Sequence, residues 1–431
     1  MSLHPVLGML LVAIVLGALL GGLRLWQVRR KPHPELARKL LHDGLGIVTL
    51  SFPWLFDAVW PVVTLAVLAV GALLVVRHTS LGGVMHEVKR ESAGEIYFPI
   101  AVAAVFYLSK GVAVLYVLPL MLRTLAAAVA ALIGVRYGLV KFDTFEGGRK
   151  SLEGAVAFFM VAFLCTHVTL LLTTYVERVE TLLIGVEIGF LVMLVELVAW
   201  RGLDNLFIPL FSFALLYNLE YLQEVELYNR LWSIALISAF VWVWRKRTTL
   251  DFGALVLALL ISYIIWAIGG LRWLAPAALC FATYSLLWPH DRQGRAPVHD
   301  LRAVLAFSVV GVFWLYVGTR FAQQDFWYLG VASFAVQLAV IGCASGAALW
   351  RCVLAGWVVP FIPYVAFQGL ERHTLQLAAA ALPAVALGLA VFAVGWRRLQ
   401  ATPYVMERWV LQAGASAAGS LLAIIPWTLL S

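Results

Sequence analysis

Apolar runs long enough to cross a membrane recur along the whole chain. They follow one another from residue 5 to residue 429, with short polar loops between them. A helix that spans a bilayer needs about 20 predominantly apolar residues, and in lipid only a helix or a closed barrel satisfies every backbone polar group. Runs of this length are typical of helices. The sequence therefore predicts an all-α, polytopic transmembrane helix bundle with about 16 spans.

The composition supports this fold class and excludes others. Hydrophobic residues make up 63% of the 431 residues and charged residues 13%, whereas a soluble domain averages about 45–50% apolar and about 25% charged. A soluble enzyme, a disordered regulator and a porin-type barrel are excluded. The 4 cysteines lie in apolar runs and show no spacing typical of a metal site, so we expect them to be buried thiols.

The distribution of positive charge predicts the topology. The formal net charge is +8, and basic residues accumulate in cytoplasmic loops. With the N-terminus outside the cytoplasm, about 24 of the 31 Lys and Arg residues fall in cytoplasmic loops, and an even number of spans places the C-terminus outside as well. Topology accounts for the charge without nucleic acid, which we do not expect as a partner. The bilayer itself is the expected surroundings.

Basic residues follow the first apolar run and none precedes it, which is the reverse of a signal peptide. We therefore expect an uncleaved span and, with such short loops, a multi-pass protein of a prokaryotic inner membrane. The loop at residues 245–249 is the best internal boundary. We predict a first span with its basic loop at residues 1–32, one transmembrane domain at 33–247 and a second at 248–431.

Two cytoplasmic segments carry polar residues at the start of a span, where such groups are usually functional or paired. In the first, Arg38 and Lys39 precede His42. The two cations could instead bind lipid headgroups, and His42 could be a hydrogen-bonded anchor rather than a base. In the other, Asp204 and Asn205 precede an apolar run, where either could be a helix N-cap.

A further segment contains Arg90, Glu91 and Glu95. The two glutamates are one helical turn apart, so they share a face. That spacing suits a cation site, and it equally suits ion pairs with the neighbouring basic residues.

The most specific segment combines glycines with a basic helix start. Gly134 and Gly138 lie one turn apart, and Arg149, Lys150 and Ser151 open the next span. Bare backbone allows close approach of a ligand, and basic side chains beside a helix N-terminus favour a phosphate group. Close helix packing beside a basic loop is the alternative interpretation.

These segments together resemble the dolichol kinase and phytol kinase family over about residues 33–217. The signature that carries the resemblance is Ala127-x-x-Ala130-x-x-x-Gly134-x-x-x-Gly138, followed about ten residues later by Arg149-Lys150-Ser151-Leu152-Glu153-Gly154. The resemblance implies a CTP-dependent kinase that phosphorylates a membrane isoprenoid alcohol of the phytol, geranylgeraniol or polyprenol class at the cytoplasmic face.

The resemblance also implies roles for the residues of the four segments. The nucleotide and its phosphates would be bound by Gly134, Gly138, Arg149, Lys150, Ser151, Glu153 and Gly154. His42, Glu95 and Asp204 would be catalytic, with Glu95 and Asp204 as ligands of Mg²⁺. Arg38, Lys39, Arg90, Glu91 and Asn205 would support them.

The sequence departs from the family pattern at acidic positions. Ala127 stands where the signature has Asp, and Ala131 stands where phytol kinases often have a second acidic residue. Loss of a metal ligand commonly lowers a rate by about 10³-fold or more. The alternative function is therefore a catalytically silent relative that binds a prenyl lipid or a nucleotide.

Residues 248–393 resemble, more weakly, the membrane family that includes phytyl-phosphate kinase. The matching positions are Thr249-Leu250-Asp251-Phe252-Gly253-Ala254-Leu255, Gly269-Gly270, Trp273 and Arg302-Ala303-Val304-Leu305-Ala306. The acidic block of that family would fall near residues 334–342, which hold no carboxylate.

Overall fold

The computed structural model describes residues 4–30, 34–78, 93–143, 148–287, 299–322, 326–399 and 406–430. Most of these residues are helical. The chain divides into two compact units, which we call unit 1 (Met1–Trp232) and unit 2 (Ser233–Ser431).

Unit 1 is built from helices and one short β-hairpin. Its helices are α1 (Pro5–Arg30), α2 (Pro34–Leu50), α3 (Phe52–Leu55), α4 (Val59–His78), α5 (Gly94–Ser109), α6 (Ala113–Met121), a π-helical turn (Leu122–Ala126), α7 (Ala127–Tyr137), α8 (Leu152–Thr173), α9 (Arg178–Val198), α10 (Asp204–Leu219) and α11 (Glu224–Trp244), which continues into unit 2. The antiparallel strands β1 (Lys141–Asp143) and β2 (Arg149–Ser151) lie between α7 and α8.

The core of unit 1 lies along α9, most of whose residues are buried. A Cβ atom at Gly185 would lie 3.1 Å from the ring of Phe163, and one at Gly189 would lie 3.2 Å from the carbonyl oxygen of Phe159. Small residues at a helix interface allow two backbones to approach closely in a membrane protein. The two glycines thus allow α8 to pack tightly on α9.

In unit 2 the other helices pack around one buried helix. Its remaining helices are α12 (Phe252–Leu287), α13 (Leu301–Arg320), α14 (Phe326–Ala344), α15 (Leu349–Gln368), α16 (Arg372–Leu399), α17 (Met406–Leu422) and α18 (Ile424–Leu430), with a 3-10 turn at Arg245–Arg247. Nearly every residue of α14 is buried. Gly270, with φ at 71°, interrupts α12, a conformation that glycine adopts without the strain a side chain would bring.

Neutral side chains hydrogen-bond inside unit 2. Gln412 donates from Nε2 to Oε1 of Gln337 at 2.8 Å, and Gln337 donates to the carbonyl oxygen of Ala306 at 2.6 Å. Trp314 donates from its ring nitrogen to the hydroxyl of Ser420 at 3.0 Å. All four side chains are buried. Such bonds link helices where no water is present to replace them.

The prediction of an all-α polytopic protein is confirmed in its coarse form. Among the described residues, 11 helices are long and apolar enough to span a membrane. With 36 residues α12 is longer than one span requires, and Gly270 interrupts it. The count of about 16 spans, the orientation of the termini and the domain boundary near residue 247 stay predictions.

Candidate functional site

Five of the predicted residues lie wholly or partly outside the described part of the chain. Arg38, Lys39 and His42 belong to α2, but their side chains lie outside the described residues. Arg90 and Glu91 lie outside them altogether. The other predicted residues belong to α5, α7, β2, α8 and α10.

Lys150 at the end of the β-hairpin contacts the C-terminal end of α9. Its Nζ atom lies 2.8 Å from Oε1 of Glu196 and also donates to the main-chain carbonyl oxygen of Glu196. The side chains are 28% and 20% exposed. The carboxylate of Glu196 and the C-terminus of α9 both attract a cation. They hold the ammonium group of Lys150 at the end of α9 that is predicted to face the cytoplasm.

Asp204 and Asn205 at the start of α10 both bind Arg123. Nη2 of Arg123 lies 3.2 Å from Oδ2 of Asp204, and its Nε donates to Oδ1 of Asn205 at 2.5 Å. Arg123 is buried and belongs to the π-helical turn. Turns of this kind occur frequently at functional sites. The two polar residues at the N-terminus of α10 are therefore ligands of a buried guanidinium group, and not free N-caps.

Other contacts bring the remaining segments to the same end of unit 1. The amide of Ala93, just before α5 and Glu95, donates to the carbonyl oxygen of Arg201 at 3.2 Å. This bond ties the start of α5 to the loop that precedes α10. On α2, a Cβ atom at Gly46 would overlap the side chain of Thr124, which neighbours Arg123 in the π-helical turn. The four segments predicted from the sequence are thus linked through the elements that carry them.

The signature glycines pack α7 closely against the start of α8. A Cβ atom at Gly138 would overlap the carbonyl oxygen of Gly134 and lie 2.7 Å from the Cβ atom of Ser151. One at Gly154 would lie 3.2 Å from the Cα atom of Gly134. In this structure the bare surface is covered by protein, which supports the packing interpretation. The predicted approach of a nucleotide to these glycines stays a prediction.

The first backbone donors of α8 already have partners. Ser151 is the N-cap and accepts from the amide of Gly154 at 3.1 Å. The amide of Leu152 donates to the carbonyl oxygen of Val140 at 2.9 Å, and Oε1 of Glu153 accepts from the amide of Val140 at 3.2 Å. A phosphate group at this end would therefore be bound by the side chains of Arg149 and Lys150 rather than by these amides.

The acidic residues fit a divalent cation poorly. Mg²⁺ prefers several oxygen ligands in near-octahedral geometry, and the carboxylate of Asp204 is already bound by Arg123. Within the part of the chain that the structure describes, no three His, Cys, Asp or Glu residues are grouped to share an ion. The metal role of Glu95 and Asp204 stays a prediction without geometric support.

Arg123 and Glu196 are the functional candidates that sequence reasoning underrated. The sequence motifs assign no role to either residue. The signal for Arg123 was present, because it is a charged residue inside the apolar run from Val112 to Ile133. Such residues are rare in spans and usually face a partner.

Unit 2 has a polar cluster of its own, formed by two residues that lie outside the helices and by Tyr284 near the end of α12. Thr249 Oγ1 lies 2.7 Å from Nδ1 of His299 and 2.5 Å from the hydroxyl of Tyr284. Burial and the positive charge of Arg408 lower the pKa of His299 from 6.5 to about 4. Burial raises the pKa of Asp251. The cluster therefore holds a neutral imidazole near neutral pH.

The fold and the site define an integral membrane protein, a polytopic helix bundle with two ion pairs, Lys150–Glu196 and Arg123–Asp204, at one end of unit 1. No family model matches the chain, and no solved structure matches it. A phytol kinase of Synechocystis sp. is 27% identical to it over 190 residues, which cover 44% of this chain and 81% of that protein. The chain thus resembles the phytol kinase family weakly, and the resemblance predicted from the signature is confirmed. The likeness of residues 248–393 to a second family stays a prediction.

Proposed function

We propose that the protein phosphorylates a membrane isoprenoid alcohol of the phytol, geranylgeraniol or polyprenol class, with CTP as the phosphate donor. The similarity to a phytol kinase over 190 residues carries this proposal. The activity belongs to unit 1, at the end where Lys150 and Arg123 lie, and this end faces the cytoplasm of a prokaryote in the proposed topology.

The charges at this end suit phosphoryl transfer. Such a reaction depends on positioning and on stabilising the charge of the transferred group. Lys150, held by Glu196, together with the exposed Arg149, would bind the phosphates of CTP. Mg²⁺ would arrive with CTP as part of the substrate.

The proposed reaction is a single displacement at phosphorus. The lipid oxygen forms a bond to the γ-phosphorus of CTP, the bond from that phosphorus to the bridging oxygen breaks, and CDP leaves with the electron pair. The hydroxyl proton passes to a base. His42, Glu95 and Asp204 are the proposed catalytic groups. The carboxylate of Asp204 is bound by the guanidinium group of Arg123.

The test is phosphate transfer from γ-labelled CTP with Mg²⁺ to phytol, geranylgeraniol, farnesol and dolichol in turn, using the purified full-length chain. We expect a labelled lipid phosphate from at least one alcohol. Lys150→Ala should abolish it while the protein remains folded by circular dichroism and gel filtration. Absence of transfer to every alcohol, from folded protein, would contradict the proposal.

A second candidate function has a specific observation behind it. Ala127, the first residue of α7, stands where the family signature has Asp. A silent relative would bind a prenyl lipid or CTP without transferring phosphate. Equilibrium binding of labelled CTP to the folded chain, together with no transfer, would favour this function over the kinase.

A further inference from the structure

Three basic residues form the 3-10 turn that follows α11 in unit 2. The segment Glu224–Arg247 is long and apolar enough to span a membrane, and so is Phe252–Leu287, which comes next. Because the turn lies between these two segments, it lies at a membrane surface, in the layer of the lipid headgroups. All three of its side chains are exposed.

The positive charge of this turn is open to an anion from outside the chain. Among the residues that the structure describes, no carboxylate lies within ion-pair distance of Arg245, Lys246 or Arg247. Asp251 is the acidic residue nearest to the turn in the sequence. Its Oδ1 atom instead accepts a hydrogen bond from the amide of Ala254 at 2.7 Å, at the start of α12.

Arg245 packs directly on an exposed tryptophan. Its Cζ atom lies 3.3 Å from the centroid of the Trp242 ring, well within the roughly 6 Å at which an aromatic face attracts a cation. Trp242 is 64% exposed. At van der Waals contact the planar guanidinium group stacks on the ring, so its N–H groups point sideways. They remain available to donate to two oxygen atoms of one phosphate group.

The same contact sets the depth of the charge in the membrane. Trp242 precedes Arg245 by three residues in the candidate span, which is about 4.5 Å at the rise of a helix. Arginine side chains at the end of a span commonly extend toward water, whereas Arg245 folds back along the span. Its guanidinium group therefore lies at the level of the lipid headgroups, where the phosphate groups belong to lipids.

The other arginine of the turn has different surroundings. Cζ of Arg247 lies 5.7 Å from the centroid of the Trp244 ring. Trp244 is only partly exposed and contacts Phe240, with ring centroids 5.7 Å apart, and Phe240 contacts Phe281 of α12 at 6.0 Å. Trp244 thus packs toward the protein, whereas Trp242 faces the lipid.

We propose that Arg245, stacked on Trp242, binds the phosphodiester group of an anionic phospholipid. A zwitterionic headgroup carries a cation of its own, which the basic turn repels, so the charge of the turn favours an acidic headgroup. This lipid site lies in unit 2 and is separate from the reaction proposed for unit 1. It does not require that phosphate be transferred.

The experiment is photolabelling of the full-length chain in phosphatidylcholine vesicles with a phosphatidylglycerol analogue that carries a diazirine near its headgroup, followed by peptide mapping. We expect label on the peptide that contains Trp242 and Arg245, displaced by phosphatidylglycerol and not by phosphatidylcholine or soluble glycerol phosphate. Arg245→Gln should reduce this label about ten-fold, as loss of a hydrogen bond to a charged group does. Trp242→Leu keeps every charge and should still reduce it about three-fold, because the stacking surface is lost.

Arg397→Gln is the matched control. Arg397 is exposed near the end of α16 and, within the described part of the chain, lies over no aromatic ring. Its loss removes one charge without a stacked pair and should leave the label unchanged. An equal reduction in Arg397→Gln, or none in folded Trp242→Leu, would indicate general attraction to basic residues and overturn the inference. Displacement by phosphatidylcholine or by glycerol phosphate, or label confined to other peptides, would also overturn it.

Discussion

Units 1 and 2 differ in how their buried polar side chains are paired. In unit 1, charged side chains from distant segments pair. Lys150 pairs with Glu196 and Arg123 with Asp204 at one end, and Arg230 pairs with the buried Glu187 mid-way along α9. In unit 2, the buried contacts between helices join neutral groups such as Gln337 and Gln412. Both units are apolar helix bundles, and they differ in whether the paired polar side chains are charged or neutral.

The difference indicates where chemistry resides. Burying a charge costs desolvation free energy that the packing of apolar side chains does not. In membranes, partly buried charges therefore mark functional sites more often than structural ones. A neutral, mutually satisfied pair such as Gln337 and Gln412 is typical of contacts that hold helices together. We therefore assign the proposed reaction to unit 1.

The largest effect is expected at Lys150. Lys150→Met should lower kcat/KM for phosphate transfer by about 10³-fold, because a positioned charge on the transferring group is lost. Lys246→Met, which changes a lysine of the 3-10 turn at Arg245–Arg247, is the matched control and should have little effect. Initial rates with labelled CTP measure both.

A charge exchange separates catalysis from structure at the same pair. Lys150→Glu combined with Glu196→Lys should restore the ion pair and the melting temperature but not the transfer rate. Recovery of the rate in the double variant would mean that Lys150 acts only as a structural partner of Glu196.

The next effect is on the stability of unit 1. Arg123→Met removes the guanidinium group that binds Asp204 and Asn205 and should destabilise the fold by about 3 kcal/mol. Thermal unfolding in detergent measures the change, with Lys141→Met on the exposed hairpin as a control. Combining Arg123→Met with Asp204→Asn should recover part of the loss, since the carboxylate charge that Arg123 balances is removed. An unchanged melting temperature in Arg123→Met would contradict the assigned role.

A residue of the candidate site and its contacts could be predicted from the sequence only where the residue's partner is near in sequence. Lys150 and Asp204 were singled out because each begins a span, where the local pattern exposes it. Their partners lie on other helices. Lys150 and Glu196 are 46 residues apart in the sequence. Arg123, which binds Asp204, is 82 residues from Asn205, the neighbour of Asp204. No local pattern encodes such pairs. The helices themselves were predictable, because hydrophobic runs determine them without reference to partners.

Unit 2 should be sensitive to pH through His299. Its pKa is about 4 in the folded chain and 6.5 ordinarily, so between these values the unfolded chain binds a proton that the folded chain does not. Stability is therefore complete above about pH 6.5 and decreases as the pH falls, by about 2 kcal/mol at pH 5. Melting temperatures between pH 7 and 5 measure the loss. His299→Gln should flatten the profile, and an unchanged slope in that variant would point to another group.

The smallest effect is expected within the neutral network. Gln412→Leu removes the donor to Gln337 and should destabilise the chain by about 1 kcal/mol, the order found for hydrogen bonds between membrane helices. Replacing both glutamines with leucine removes the unpaired oxygen and should cost no more than the single change. A loss as large as that of Arg123→Met would remove the contrast between the units.

The most direct test of the central claim compares one substitution from each unit in the same transfer assay. Lys150→Met and Gln412→Leu are measured as full-length chains, at a temperature where both are folded, with labelled CTP and the best alcohol acceptor. We predict that Lys150→Met loses at least about 100-fold of the rate, as removal of a charge-stabilising group does, while Gln412→Leu retains most of it. Equal losses, or a greater loss in Gln412→Leu, would contradict the assignment of the chemistry to unit 1.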